Sequence, residues 1–316
     1  MRFTGLYVPL ITPFTATDEV DGEALARLAG EALDAGAAGL VALGTTGEPV
    51  TLTAAERQRV LDICAGICLE RGVPLIVGAG SNGTADSARD LAAVDPRASA
   101  VLSVVPYYLR PSEEGVIEHF RHLAAASPVP LVVYHIPYRT GRSLSAETLC
   151  RIAELPNVAG FKLAAGGIDE TVIAFLARAT GTDILAGDDL YTAPLLALGA
   201  TGAILACANV APAEYADLIA AWRTGDLDRA RALGNRLVPL AQALFAEPNP
   251  VVLKAVLAAQ GRIATPAVRL PLLPATETAT TAALFALSEL DPVAPIRSGA
   301  SADADSSVVR QNVPLS

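Results

Sequence analysis

Lysine is nearly absent from this chain. Of 23 basic residues only Lys162 and Lys254 are lysine, so arginine serves almost everywhere a generic positive charge is needed. Histidine is as scarce, with only His119, His122 and His135 present. His119 and His122 stand three apart on a predicted helix, a spacing that reads as a solvated helix face rather than a metal pair, and no metal site is expected. The four cysteines, Cys64, Cys68, Cys150 and Cys207, are too scattered for a disulfide framework and contain no Cys-x-x-Cys pair. They read as apolar core positions in a reducing cytoplasm. No basic patch is present either. With a formal net charge of -10 the surface field repels phosphate backbones, so no nucleic-acid partner is expected.

No secretory leader is expected. Met1 to Phe14 is broken by Pro9 and Pro13 and lacks a small-residue cleavage site. Thr192 to Ala213 carries no charge and is long enough to imitate a membrane span. Pro194, Gly199, Gly202, Asn209 and Pro212 punctuate it, however, which suits a buried helix, a turn and a buried strand. No membrane contact is expected.

What the 316 residues do contain is a large apolar fraction, 52% hydrophobic against 18% charged, enough for a substantial core. Short runs rich in Val, Ile and Leu alternate with amphipathic segments. Eight strands are predicted, at Leu6–Ile11, Leu40–Leu43, Leu75–Val77, Val101–Val105, Leu131–His135, Ala159–Lys162, Ile184–Ala186 and Ala203–Ala206. Helix starts are signalled by Asp21, by Thr53 with Glu56 as a capping box, and by Ser112, Ser145 and Asp169. Gly36 and Gly199 sit at helix ends. Strands that are apolar on both faces and alternate with helices indicate an α/β fold, a parallel (β/α)8 TIM barrel. Beyond the eighth strand, segments near Pro212–Arg223, Asp226–Phe245 and Asn249–Gln260 predict a C-terminal three-helix appendage. The domain reading is a barrel over residues 1–210, the appendage over 211–290, and a Ser- and Ala-rich flexible tail over 291–316.

Active sites of such barrels lie at the carboxyl ends of the strands. The residues there are Gly44-Thr45-Thr46-Gly47-Glu48, Pro106-Tyr107-Tyr108, Tyr134, Lys162 and Gly187-Asp188-Asp189. Lys162 ends an apolar run, and a sheltered barrel mouth disfavours its ammonium form. A depression of about 3 pKa units leaves much of such an amine neutral and nucleophilic near pH 7. Standing alone, Lys162 fits a lysine paired with a carboxylate equally well. Tyr134 and Tyr108 each fit a core aromatic role when taken singly, but together with Thr45 and Lys162 they supply the proton relays an imine-forming enzyme needs. Thr46 and the neighbouring amides form a turn suited to a small carboxylate. Arg139, just after strand 5, is either a surface arginine or the bidentate holder of a second carboxylate. Lys254, inside a helical pattern, reads as a packing or salt-bridging residue.

These motifs occur in order and at intervals that resemble the dihydrodipicolinate synthase and N-acetylneuraminate lyase family. The likeness runs from about Gly5 to Pro274 and includes Pro137-x-Arg139-Thr140-Gly141, Gly160-Phe161-Lys162 and Glu247-Pro248-Asn249-Pro250. The resemblance implies a class I lyase without metal or separate cofactor. In that scheme Lys162 forms a covalent imine with pyruvate, and the derived enamine attacks an aldehyde. Tyr134 is then the proton donor, Thr45 and Tyr108 complete the relay, and Thr46, Gly187 and Ile204 contact pyruvate. The resemblance also implies a homo-oligomer, a tetramer built as a dimer of dimers, in which the Tyr107–Tyr108 loop of one subunit helps finish another's site.

Thr45-Thr46 and Arg139 resemble the synthase branch, whose aldehyde is aspartate semialdehyde and whose pathway leads to diaminopimelate and lysine. Three departures, Leu163, Leu109 and His135, are expected to border the aldehyde side of the pocket. A lysine feedback site is matched only by Asn82, Asp86 and Tyr107, with Ala54 and Arg57 where histidines occur in the family. Two other functions stay open at this stage: a pyruvate-dependent aldolase or dehydratase acting on a 2-keto-3-deoxy sugar acid, and a catalytically silent barrel that binds small acids.

Overall fold

A computed structural model of the chain describes residues 2–290; the expected tail, 291–316, lies outside the described residues. Eight parallel strands close a barrel in chain order: β1 Gly5–Pro9, β2 Gly39–Ala42, β3 Leu75–Gly78, β4 Ala100–Val104, β5 Leu131–His135, β6 Val158–Leu163, β7 Asp183–Ala186 and β8 Gly202–Ile204. The seam between β8 and β1 pairs Gly202 with Gly5 and Ile204 with Tyr7. Only glycine fits at 202, because a Cβ there would lie 2.3 Å from the Gly5 carbonyl oxygen. The (β/α)8 barrel expected from the alternation of apolar runs is thus the fold observed.

The helices between and beyond the strands are α1 Gly22–Asp34, α2 Ala54–Arg71, α3 Thr84–Ala92, α4 Glu113–Ala126, the one-turn α5 Pro137–Thr140, α6 Ala146–Ala153, α7 Glu170–Arg178, α8 Thr192–Ala197 and α9 Pro212–Thr224. Every start signal read from the sequence operates. Asp21, Ser112, Ser145 and Asp169 each accept a backbone N–H from their own first turn, and Thr53 with Glu56 forms the full capping box. The apolar stretch 192–213 resolves into α8, a glycine turn and β8. No helix among the described residues is long and apolar enough to cross a membrane.

Among the described residues four α-helices follow β8, one more than the three segments read from the sequence. The last three are α10 Leu227–Leu244, α11 Val251–Ala259 and α12 Glu277–Ser288. Helix α9 packs on both β1 and α10, and α10, α11 and α12 pack on one another. Helix α12 escaped the reading because its three threonines weaken the helical signal and its Phe285 faces outward.

Two apolar layers hold the barrel together. The interior is filled by Phe3, Tyr7, Val41, Ile76, Leu102, Val132, Leu185 and Ile204, and a larger cluster fills the space between strands and helices. At the amino-terminal end of the barrel Asp183, buried at the start of β7, accepts the Phe3 N–H at 2.6 Å and pairs with Arg2 at 2.7 Å. His119 corrects an expectation. It is buried on α4, with Nδ1 3.0 Å from Thr84 Oγ1 and its ring edge-on to Phe120; only His122 lies on the solvated face. All four cysteines are free and buried.

Candidate active site

Strand alternation decides which side chains meet inside the barrel. On β5 and β6, Tyr134 is the register partner of Lys162, and His135 is the partner of Leu163. Tyr134 belongs to the interior layer and Leu163 to the outer one. Lys162 Nζ lies 4.4 Å from the centre of the Tyr134 ring. Its one-residue neighbours therefore point away from the site. His135 and Leu163, expected beside the aldehyde, instead face the helix layer, where burial lowers the His135 pKa to about 4. Of the three departures, only Leu109 is exposed on the rim.

Lys162 is 6% exposed. Burial lowers its pKa from 10.5 to about 8, against the attraction of Asp189 and Asp188, and nearby Arg139 lowers it further. The same burial pushes the Tyr134 phenol up, so Tyr134 stays protonated and able to donate. Gly187, at the end of β7, is the wall against which the lysine lies. A Cβ at that position would fall 2.7 Å from Lys162 Cγ and 3.0 Å from Cε.

The sequence motif Gly187-Asp188-Asp189 shows two aspartates but assigns them no role. Asp189 is buried, accepts the Cys207 N–H at 2.7 Å, and has its pKa raised to about 6 by burial. Asp188 accepts the Gly166 N–H at 2.7 Å. A pair of carboxylates following the glycine of a barrel strand end was the signal available for them. Ile204 lies in the interior layer on β8.

Thr45, Thr46 and Gly47 form a short 3-10 turn after β2. Its opening amides have no acceptor within the turn, as at any helix start. Thr46 is buried and its hydroxyl accepts from Asn249 Nδ2 at 3.0 Å, whereas Thr45 is exposed. Arg139 sits on α5 and is exposed, with its guanidinium 5.8 Å from the Tyr138 ring centre, yet it is close enough to act electrostatically on both Tyr134 and Lys162.

Not every expected residue meets its partner within one chain. Tyr134, Lys162, Gly187 and Ile204 share the barrel mouth. Tyr108 does not join them: it is 84% exposed and adopts a left-handed backbone with φ of 68°, its N–H donating to the Thr140 carbonyl at 3.3 Å. No hydrogen bond connects Thr45, Tyr108 and Tyr134 among the described residues.

Known proteins share this sequence pattern and this fold. The model of the dihydrodipicolinate synthetase family matches residues 2–290. The chain is 42% identical over 277 residues to the 4-hydroxy-tetrahydrodipicolinate synthase of Syntrophus aciditrophicus, covering 87% of this chain and 94% of that protein. It is likewise 42% identical over 279 residues to the enzyme of that name from Salinibacter ruber, covering 88% and 92%. Among solved structures, the chloride-inhibited dihydrodipicolinate synthase of Acinetobacter baumannii complexed with pyruvate superposes with a TM-score of 0.86 at 34% identity, covering 90% of this chain and 98% of that one. The family resemblance read from the motifs is thereby established over the whole described chain. This protein belongs to the dihydrodipicolinate synthetase family.

Proposed function

We propose that this chain is a 4-hydroxy-tetrahydrodipicolinate synthase, a class I lyase that condenses pyruvate with L-aspartate 4-semialdehyde on the route to diaminopimelate and lysine. One observation carries the reading: a desolvated lysine amine, Lys162, lies against a protonated phenol, Tyr134, at the mouth of a (β/α)8 barrel. With a pKa of about 8, roughly a tenth of this amine is neutral at pH 7.

The neutral nitrogen attacks the pyruvate ketone. Proton transfers through Tyr134, Thr45 and Tyr108 expel water and leave the imine, so no cofactor beyond this covalent link is needed. Loss of a methyl proton gives the enamine, whose carbon attacks the aldehyde. Thr46 and the turn amides hold the pyruvate carboxylate, with Gly187 and Ile204 along its other side. Arg139 holds the carboxylate of the semialdehyde, and this charge favours an acidic aldehyde over a polyhydroxy sugar acid.

The exposed Tyr108 belongs to a neighbour's site in this reading. Its position on a strained rim loop supports a tetramer built as a dimer of dimers, working in the cytoplasm, where the free thiols persist. A coupled assay tests the proposal. Turnover of pyruvate with aspartate semialdehyde is expected; cleavage of 2-keto-3-deoxy sugar acids without semialdehyde turnover would displace it in favour of the sugar-acid aldolase.

A further inference from the structure

The second lysine of the chain is as deeply buried as the first. Lys254, on α11, is 0% exposed, and its Nζ donates to Glu48 Oε1 at 2.5 Å and to the Ala267 carbonyl at 2.8 Å. The same nitrogen lies 3.9 Å from the centre of the Phe14 ring. Glu48 is 3% exposed, and its other oxygen accepts the Arg269 N–H at 3.1 Å. Both oxygens of this carboxylate therefore end on the segment that runs from α11 toward α12.

Glu48 immediately follows the Thr45–Gly47 turn and has a left-handed backbone, φ 53°, which a non-glycine residue adopts only against steric strain. Such a conformation persists only where its surroundings hold it. Two further bonds come from either side of α11: Asn249 Nδ2, just before it, donates to Thr46 Oγ1 at 3.0 Å, and Arg269 Nη1, beyond it, donates to the Thr51 carbonyl at 3.0 Å.

The Asn249 bond has a directional consequence. A hydroxyl carries one proton, so a Thr46 oxygen that accepts from Asn249 keeps its own O–H free to donate toward an anion. The ion pair fixes the end of the turn while Asn249 fixes the sense of its hydroxyl.

We infer that Asn249, Lys254 and Glu48 are positioning residues that aim the Thr45–Thr46 turn at the substrate carboxylate, which makes the C-terminal appendage part of the pyruvate site. The inference rests on the reading above that this turn receives pyruvate. It assigns the chain's two lysines complementary work: Lys162 bonds the carbonyl carbon, and Lys254 braces the group that holds the carboxylate.

Borohydride trapping on Lys162 with two carbonyl compounds tests it, one bearing a carboxylate (pyruvate) and one lacking it (hydroxyacetone). Asn249→Ala and Lys254→Met are each expected to raise the pyruvate concentration for half-maximal trapping about tenfold or more. Trapping by hydroxyacetone should stay at the wild-type level, which general damage to the barrel would not allow. Lys254→Met leaves Glu48 buried without its partner and risks misfolding. The double variant Glu48→Gln with Lys254→Met removes both charges and carries the same expectation.

Wild-type saturation with pyruvate in the Asn249→Ala and double variants, or equal loss of trapping with both compounds, overturns the inference while wild-type trapping by pyruvate leaves the functional reading standing. A wild-type protein that traps neither compound overturns that reading and the inference together.

Discussion

The burial of Lys162 has two measurable consequences of opposite sign. Activity gains from it: kcat/KM for pyruvate should rise about tenfold per pH unit below pH 8 and level off above, as the neutral amine accumulates. A profile that instead climbs to pH 10 would assign the lysine its ordinary basicity. Stability loses by it. The unfolded lysine titrates near 10.5 and the folded one near 8, so the unfolded chain binds the extra proton between these values and stability from this residue rises with pH through that window.

Below pH 8 the folded protein therefore carries the full cost of the buried ammonium. Lys162→Met should abolish activity yet stabilise the fold at pH 7 by at most about 3 kcal/mol, a gain that vanishes by pH 11. Urea midpoints of the two proteins at both pH values check this, and a gain that persists at pH 11 refutes it. Gly187→Ala should act on the same side chain by contact. A methyl 2.7 Å from Lys162 Cγ displaces the amine, with an activity loss of about 100-fold in an otherwise folded protein.

At this scale the sequence was most informative where chemistry is unusual. Two lysines among 23 basic residues pointed at the two buried amines of the molecule. It was least informative about direction. His135 and Leu163 are sequence neighbours of Tyr134 and Lys162, and only the strand register shows that they face the helices instead.

Among elements, the eight strands were legible because a parallel sheet buried on both faces needs uninterrupted apolar runs. Leu131–His135 was read to the residue, and the others differ by one or two at their ends. Helix α9 was legible as a helix, but its packing on both β1 and α10 was not, since no local pattern shows which neighbours a helix will meet. The brace between α11 and the Thr45–Thr51 turn was invisible for a related reason: Asn249 and Thr46 are separated by 203 residues.

The two ends of the barrel should also behave differently. Asp183 closes the end opposite the site, holding the Phe3 amide and Arg2. Asp183→Ala leaves that amide unpaired and should cost about 2 kcal/mol of stability. Activity per folded molecule should be unchanged, because chemistry belongs to the carboxyl ends of the strands. A drop in kcat without a drop in melting temperature would contradict that division.

At the scale of the whole molecule, Tyr108 is 84% exposed and no hydrogen bond joins it to Thr45 or Tyr134 among the described residues, so the proposed relay needs a second subunit. The proposed dimer makes this testable by complementation. Lys162→Ala and Tyr108→Ala subunits are each inactive or nearly so. Dissociated and reassembled together, half the dimers pair one of each, and one site in such a dimer has both an intact lysine and an intact partner tyrosine. The mixture should recover up to about a quarter of wild-type activity. Activity no higher than the mean of the parents would mean that Tyr108 serves its own subunit or none.

Every proposed step at this site begins with covalent capture of a keto acid by one amine. Reduction with borohydride in the presence of pyruvate, followed by peptide mapping, reads this directly. A reduced pyruvate adduct on the peptide carrying Lys162, none on that carrying Lys254, and none anywhere in Lys162→Arg is the expected result. An unmodified Lys162 in protein that still turns over pyruvate and the semialdehyde would contradict it.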